Sequence, residues 1–270
     1  MKKAIQIMTA ILLITAAYCG YFFAREYRIM QDEISEYSDL RKTYTTVTQA
    51  PICESSDFTL TPPERGLPRI GIDFDALLLI NPDTVGWIKI PDTVISYPVV
   101  QTTDNSKYLK TSFGGYYAKT GTPFVDKDND LQTLDTNTII HGHNMGTGRA
   151  DMFSTLLLYK DYEYFTENRH IKFDTIHQLY GWWKVFAVIE IDLRNTDFHY
   201  QQIQFQDEDD FLDWISKATV ISIHGLDMEI SPNDYILTLS TCDRGRYGQH
   251  GRFLVLAVQT SGHFVHRQRR

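Results

Sequence analysis

Cys242 is the residue of this sequence whose surroundings are best suited to nucleophilic chemistry. It ends the run Tyr-Ile-Leu-Thr-Leu-Ser-Thr-Cys, in which β-branched and aromatic residues without Gly or Pro predict a buried strand. A polar, glycine-containing segment follows at once, and Arg252 then opens a second apolar run at 253–258. If the two runs are neighbouring strands, Arg252 returns toward Cys242. Taken alone, however, a free cysteine is more often a small buried hydrophobe, and an arginine at a strand end is more often solvated.

A thiol nucleophile needs a nearby base and a donor for the oxyanion that forms on attack at a carbonyl. Among the nine histidines, His141 and His143 lie where the apolar part of Thr-Ile-Ile-His-Gly-His-Asn-Met meets a glycine-containing loop. Two strand ends can therefore present a thiol and an imidazole side by side. The remaining histidines are predicted to be structural or solvated.

A metal site is not expected from these residues. The pair His141 and His143 has no further acidic or histidine partner at motif spacing. The acidic stretch 126–130 lacks both the Gly and the bidentate Glu of a calcium loop. The cysteines are too scattered for a zinc site or a disulfide framework: Cys19, Cys53 and Cys242. No metal or other cofactor is therefore predicted.

Composition and charge indicate an ordinary globular protein. The chain has 270 residues, of which 43% are hydrophobic and 22% are charged. This length is sufficient for one core of roughly 200 residues with an appendage. The net charge of −8 and the lack of a long basic run argue against nucleic acid as a partner.

Residues 4–24 form an uncharged, apolar run that follows Lys2 and Lys3. As a helix it would be about 31 Å long, close to the roughly 30 Å of a hydrocarbon core, so it predicts a transmembrane anchor. A cleaved signal peptide is the alternative, but the run is longer than the roughly 7–15 apolar residues of such signals. The two lysines favour a cytoplasmic amino terminus and a body outside the membrane.

The remaining chain divides into a stalk and a folded body. An apolar helix face is formed by Met30, Ile34, Tyr37, Leu40 and Tyr44, and a proline-containing linker follows it. Whether this face packs on the body or belongs to a simple spacer stays open. We therefore divide the chain into a cytoplasmic stub with anchor at 1–28, a helical stalk with linker at 29–66, and a folded domain at 67–270.

The folded domain is predicted to be mainly β, a barrel or sandwich with helical insertions, because short apolar segments alternate with turn residues. Strands are predicted at 85–90, 94–100, 122–125, 136–141, 171–173, 182–191, 220–223, 235–241 and 253–258. Helices are predicted at 73–80, 152–165 and 207–217. The last opens with four carboxylates, which are favourable at a helix amino terminus.

Taken together, these motifs resemble the sortase family, and its class B branch in particular. The resemblance rests on Thr-Leu-Ser-Thr-Cys ending at Cys242, on Arg252 ten residues later, and on Gly-His-Asn-Met around His143. Further matches are Val-Gly-Trp-Ile-Lys-Ile-Pro at 85–91, Tyr-Pro-Val-Val-Gln at 97–101 and Asp-Asn-Ser-Lys-Tyr-Leu at 104–109. The similarity spans about residues 73–259. It implies an eight-stranded β-barrel with N-terminal helices and a helix, here 207–217, between the sixth and seventh strands.

The resemblance also implies roles for single residues. Cys242 matches the nucleophile, His143 the general acid/base and Arg252 the cation of the site. His141 is the competing histidine, and Asp243 matches a carboxylate that is sometimes given a supporting role, although we favour a solvated loop carboxylate. Candidate substrate-binding residues lie beside these positions: Asn144, Thr241 and Ser240.

The family implies a membrane-held transpeptidase at the surface of a Gram-positive bacterium. Its thiol attacks the carbonyl of a Thr in the C-terminal sorting signal of a surface protein, and an amine of a peptidoglycan cross-bridge or precursor resolves the thioester. Two alternatives stay open: an enzyme that joins pilins through lysine, and an anchored scaffold with an inert thiol. The sequence does not identify the sorting motif, the acceptor amine, the oligomeric state or a role for Cys53.

Overall fold

The computed structural model describes residues 2–48, 69–146, 149–177, 180–225, 228–243, 245 and 247–263. The chain divides into two compact units, Met1–Leu40 and Arg41–Arg270. The predicted linker from residue 49 onward and Cys53 lie outside the described residues. The division at residues 28 and 66 therefore stays a prediction.

The first unit belongs to a long helix, α1 (Lys2–Tyr44), whose last turn lies in the second unit. Within the described ranges, α1 is the one helix long and apolar enough to cross a membrane. The predicted anchor and the predicted stalk face are parts of this same helix. Because a signal sequence near the N-terminus can also be long and apolar enough to meet this criterion, the anchor stays a prediction.

The second unit begins with a small sheet and a short helix before the barrel. Strands β1 (Thr45–Thr48) and β2 (Arg69–Ile72) pair antiparallel. Helix α2 (Phe74–Ile80) begins where Asp73 accepts a hydrogen bond from the amide of Ala76 at 3.0 Å. It ends at Asn81, since the proline that follows disfavours helical backbone at that residue. The predicted helix at 73–80 is confirmed.

Eight strands then close into a barrel. They are β3 (Thr84–Lys89), β4 (Ser96–Val100), β5 (Phe124–Val125), β6 (Asn137–His141), β7 (His170–Thr175), β8 (Tyr180–Asp192), β9 (Ile236–Cys242) and β10 (Gly251–His263). Their order around the barrel is β10-β8-β7-β3-β4-β5-β6-β9. The pairs β4–β5 and β6–β9 are parallel, and the other pairs are antiparallel. The mainly β, eight-stranded barrel is thus confirmed.

Helix α4 (Glu208–Val220) covers one side of this barrel and connects its sixth and seventh strands, β8 and β9. It begins where Asp207 accepts a hydrogen bond from the amide of Asp210 at 2.9 Å. Its apolar stripe, Phe211, Trp214 and Ile215, is buried in one cluster with apolar residues of β6, β8, β9 and β10. The position predicted for this helix is confirmed.

Two predicted elements differ from the structure. The strand predicted at 220–223 is wrong: Val220 ends α4, and Ile223 makes one backbone hydrogen bond, to Val188 O at 2.7 Å. The helix predicted at 152–165 consists of two pieces, a 3-10 helix (Phe153–Lys160) and α3 (Tyr162–Glu167). The break falls at Asp161, because its backbone is extended and its carboxylate caps α3.

Candidate active site

Cys242 and Arg252 are direct partners across two antiparallel strands. Cys242 is the last residue of β9, and Arg252 is the second residue of β10. Directly opposed residues of an antiparallel pair project from the same face of the sheet. The Arg252 Nη1 donates to Gln249 O at 3.2 Å and to Gly251 O at 2.9 Å, which anchors the guanidinium at the strand end. The Cys242 side chain is half-buried and therefore retains access to solvent.

The strand that leads to the two histidines, β6, runs parallel to β9. His141, at the end of β6, is in register with Ser240. Two hydrogen bonds continue this pairing beyond the strand: Gly142 N donates to Ser240 O at 3.0 Å, and Thr241 Oγ1 donates to Gly142 O at 2.7 Å. The chain that leads to His143 therefore runs beside the chain that leads to Cys242.

Asn144 completes this connection. Its Nδ2 donates to the carbonyl oxygen of Cys242 at 2.8 Å, and its Oδ1 accepts from Gly146 N at 2.9 Å. His143 lies between Gly142 and Asn144, both of which bond to the β9 backbone or side chains. Cys242, His143 and Arg252 are thus brought to the same end of the barrel.

The backbone and the ring of His143 are both held in place. Phe153 N donates to His143 O at 2.9 Å, and His143 Nε2 lies 2.5 Å from Leu109 O. Because a carbonyl oxygen only accepts hydrogen bonds, Nε2 carries a proton, and Nδ1 is the basic nitrogen of the neutral ring. The contact with Leu109 O thus fixes the orientation of the half-buried imidazole.

His141 has a different environment from His143. Its Nε2 lies 2.8 Å from Asp126 Oδ2, and its ring centroid is 5.2 Å from that of Phe124. Burial would raise the pKa of Asp126, but hydrogen bonds from His141, the Asp128 amide and Asn105 outweigh it and lower the pKa to about 2. His141 therefore has a buried, ionised partner in Asp126.

Asp243 is not a solvated loop carboxylate, and that interpretation is wrong. Its exposed fraction is 3%, and Lys160 Nζ lies 2.7 Å from its Oδ2. Its Oδ1 accepts a hydrogen bond from Gly245 N at 3.0 Å. The carboxylate turns inward because the lysine and the backbone amide compensate its charge there.

The predicted substrate-binding residues have structural contacts. The amide of Asn144 holds the Cys242 carbonyl, as described above. Thr241 and Ser240 are each 2% exposed, and among the described residues the Ser240 hydroxyl has no hydrogen-bond partner. Substrate binding by these three side chains stays a prediction. The described ranges also hold no cluster of three His, Cys, Asp or Glu side chains suited to a metal ion.

Two contacts of the site have no signal in the sequence. Lys160 follows an apolar run and is separated by 82 intervening residues from Asp243, the residue it pairs with. The Leu109 carbonyl, which holds the His143 ring, is a backbone group and carries no side-chain signature. Both contacts depend on the closed barrel, so only tertiary structure reveals them.

Comparisons with known proteins agree with this geometry. The family model described as the sortase domain matches residues 88–260. Sortase B of Listeria monocytogenes is 36% identical over 176 residues, which cover 65% of this chain and 69% of that protein. Sortase B of Staphylococcus aureus is 26% identical over 257 residues, 95% of this chain and 97% of the relative.

Solved structures show the same similarity. The S. aureus sortase B–substrate complex superimposes with a TM-score of 0.64 at 29% identity, covering 70% of this chain and 84% of that one. A sortase B complexed with triglycine gives a TM-score of 0.63 at 30% identity over 70% of this chain and 85% of that one. The barrel, its helix between the sixth and seventh strands and the matched sequence place this chain in the sortase family, as a class B sortase and hence a cysteine transpeptidase.

Proposed function

We propose that this sortase cleaves a C-terminal sorting signal after a Thr residue and joins the shortened protein to an amine of cell-wall peptidoglycan. Cys242 is the nucleophile, His143 the general acid/base and Arg252 the oxyanion or substrate donor. The attachment of proteins to the cell wall is the activity of the family. The scissile residue, the thioester and the acceptor amine are the parts that need testing.

In the first stage His143 takes the thiol proton of Cys242 and becomes imidazolium, and the resulting thiolate attacks the carbonyl carbon of the substrate Thr. The oxyanion that forms accepts hydrogen bonds from the Arg252 guanidinium. The C–N bond then breaks, and His143 gives a proton to the departing amine. A thioester between Cys242 and the Thr acyl group results.

In the second stage an amine of the cell wall attacks the thioester. His143 takes a proton from this amine, the C–S bond breaks, and the new amide bond joins the protein to the acceptor. Cys242 leaves as the thiolate beside the protonated His143, which restores the pair that attacked in the first stage. Toward the two amines the same imidazole thus acts first as acid and then as base.

One structural observation carries this proposal. Cys242 and Arg252 are paired residues of β9 and β10, and Asn144 ties the His143 segment to the Cys242 carbonyl at 2.8 Å. The His143 segment, 99 residues before Cys242, and Arg252, ten residues after it, therefore share one end of the barrel with the cysteine. A thiol, a proton carrier and a fixed cation are the groups that acyl transfer to an amine needs.

The partners and the location follow from the same reasoning. Solved sortase B structures hold a substrate and triglycine, which supports a sorting-signal peptide and an amine as the partners of this chain. The apolar residues 4–24 support a single membrane span, with the catalytic barrel outside the cell.

The test is a ligation assay with the full chain in detergent micelles. Peptides that carry Thr at the cleavage position, with the preceding residues varied, are incubated with triglycine and analysed by mass spectrometry. We expect a product in which the peptide up to Thr is joined to triglycine, and none with Cys242→Ala. Cleavage that persists in Cys242→Ala would overturn the proposed nucleophile. Absence of any ligated product across the peptide set would overturn the proposed reaction.

A further inference from the structure

A lysine behind the active-site strands contacts three neighbouring strands at once. Lys160 ends the 3-10 helix Phe153–Lys160, and its Nζ lies 2.7 Å from Asp243 Oδ2 and 3.1 Å from Glu190 Oε2. The same ammonium lies 5.4 Å from the ring centroid of Phe253. Asp243 directly follows β9, Glu190 lies in β8 and Phe253 lies in β10. One cation therefore connects the three strand ends that surround the site.

The contacts of Lys160 are immediate neighbours of two proposed active-site residues. Asp243 follows Cys242, and Phe253 follows Arg252. Successive side chains of a strand point to opposite faces of the sheet, so Phe253 and Lys160 lie on the face opposite Arg252. Lys160 therefore does not share the substrate side of the sheet with the thiol and the guanidinium.

The backbone pairing of β9 and β10 continues to Asp243, the residue that Lys160 contacts. Asp243 N donates to Gly251 O at 3.1 Å, directly beyond the pair formed by Cys242 and Arg252. The backbones are so close there that a Cβ added to Gly251 would lie 1.9 Å from Asp243 O. A shift of Asp243 would consequently change the separation of Cys242 and Arg252.

In this contact one lysine compensates the charges of two carboxylates. The side chains of Asp243 and Glu190 are 4% and 15% exposed, whereas that of Lys160 is 40% exposed. Burial lowers the pKa of Lys160, but hydrogen bonds to Asp243 and Glu190 outweigh it and raise the pKa above its ordinary value. The lysine thus stays charged. Without it, two carboxylates would face each other in a poorly solvated place, and their repulsion would displace the end of β9.

We propose that Lys160 is a positioning residue for acyl transfer: it holds Asp243 and Glu190 from behind the sheet and so fixes the spacing of Cys242 and Arg252. This inference deepens the proposed function and rests on it. The lysine contacts neither substrate nor the reacting atoms.

The chain offers a matched control in Lys172. Its Nζ lies 2.6 Å from Asp174 Oδ1, Asp174 is likewise 4% exposed, and the ammonium lies 5.6 Å from the Trp182 ring. This pair has the same chemistry as Lys160 with Asp243. It lies on β7, however, which is separated from β10 by β8 in the barrel order. Lys172→Met therefore reports the loss of a lysine–aspartate pair away from the site.

The experiment compares Lys160→Met, Lys160→Arg and Lys172→Met in the full chain. Ligation kinetics are normalised to the folded fraction, measured by circular dichroism. For Lys160→Met we expect kcat to fall at least about tenfold with KM within about threefold of wild type. Lys160→Arg keeps the cation and should recover most of kcat, and Lys172→Met should stay within about twofold. Equal kcat in the two Met variants would overturn the proposal.

A second readout does not depend on the substrate. The rate of Cys242 alkylation by iodoacetamide, followed by peptide mapping, should change by about threefold or more in Lys160→Met, because a displaced β9 end alters the surroundings and exposure of the thiol. Unchanged alkylation would argue against the proposal. If wild type alkylates readily but ligates no peptide, the proposed reaction fails, while the comparison of alkylation rates still tests Lys160.

A double variant covers the case in which Lys160→Met does not fold. Lys160→Met with Asp243→Asn removes both charges of the pair, so no unpaired carboxylate remains at residue 243. We expect this folded protein to ligate at least about tenfold more slowly than wild type, because the strand end is no longer held. Turnover at the wild-type rate would overturn the positioning role.

Discussion

Two histidines that are separated by one glycine have different surroundings, which predict different roles. His143 is held through Nε2 by Leu109 O, while His141 pairs with the buried Asp126. We predict that His143→Ala lowers kcat/KM by about 10²- to 10⁴-fold, the usual value of a general acid/base. His141→Gln should keep kcat/KM within about tenfold and lower the free energy of unfolding by about 1 kcal/mol. Ligation kinetics and urea unfolding measure the two effects.

The reverse pattern would contradict this assignment. If His141→Gln abolished ligation in a protein that stays folded while His143→Ala remained active, His141 would be the acid/base. The pairing of His141 with Asp126 would then be a catalytic contact instead of a structural one.

The Asp126 carboxylate predicts a specific dependence of stability on pH. Its pKa is lowered from 3.8 to about 2 in the folded protein. A carboxylate of lowered pKa stabilises the folded state fully above the unfolded pKa, by about 2 kcal/mol here, and this contribution disappears as the pH falls toward about 2. The free energy of unfolding of Asp126→Asn should therefore fall less than that of wild type as the pH is lowered from about 5 to about 2. Urea titrations at both pH values measure this difference.

An exposed carboxylate nearby serves as the control for Asp126. The side chain of Asp128 is 65% exposed, and its partner Lys127 is also largely in solvent. Asp128→Asn should therefore follow the pH dependence of wild type. If Asp126→Asn followed it as well, the buried pair with His141 would not be the source of the acid sensitivity.

Single residues differ in how well the sequence predicts them. The roles of Cys242, His143 and Arg252 rest on short motifs and stay predictions, while the strand pairing and the Asn144 contact bring their chain segments to one end of the barrel. Asp243 could not be predicted correctly, because its burial depends on Lys160, a residue of another element. A carboxylate in a polar loop has the same local pattern whether it is solvated or paired.

At the scale of elements, the close contact of the β6 end with the 3-10 helix Phe153–Lys160 positions the backbone of His143. A Cβ added to Gly142 would lie 2.5 Å from Cδ2 of Phe153, a ring that is fully buried. We predict that Gly142→Ala lowers the free energy of unfolding by about 1–3 kcal/mol. It should also lower kcat, because His143 follows directly. Thermal unfolding and ligation kinetics measure the two effects.

A second variant tests the cause of this effect. Adding Phe153→Leu to Gly142→Ala removes the aromatic ring that the new Cβ would meet. The double variant should therefore regain part of the kcat that Gly142→Ala alone loses. Strictly additive losses would show that the two side chains do not meet and would contradict the described packing.

Elements were predictable where the local pattern and the tertiary environment agree. Helix α4 has a carboxylate cap, an apolar stripe and a polar face, so its position followed from the sequence. The strand predicted at 220–223 is wrong, because the β-branched Val220 ends α4 and Ile223 makes one backbone hydrogen bond to a neighbouring strand. Likewise, the apolar spacing in 152–165 fits one helix, but the cap at Asp161 divides it.

At the scale of the whole molecule, the first helix should keep the enzyme at the membrane. We predict that the mature protein retains residues 4–24 and fractionates with membranes in a Gram-positive host. Ile11→Lys with Leu12→Lys places two charges in the middle of the apolar run, at a cost of about 2.5–3.5 kcal/mol each, and should release the protein from the membrane fraction. Mass spectrometry of the purified protein identifies its first residue. A mature chain that begins after residue 24 would contradict the anchor.

The closed barrel as a whole was foreseen only through the resemblance to sortases. Composition and strand spacing predicted a mainly β domain, either a barrel or a sandwich. The order β10-β8-β7-β3-β4-β5-β6-β9 includes two parallel pairs whose strands are not joined by hairpins. Such non-local pairing has no signal in the spacing of apolar residues.

The most direct test of the account is the mass of the acyl-enzyme. The full chain is mixed with a sorting-signal peptide that the ligation assay has identified, quenched in acid and analysed intact and after digestion. We expect an adduct equal to the peptide acyl group through Thr, located on Cys242 and discharged by triglycine to yield ligated peptide. Arg252→Ala and His143→Ala should form this adduct more slowly by about 10²-fold or more. An acyl group on any other residue, or ligation without an adduct on Cys242, would contradict the account.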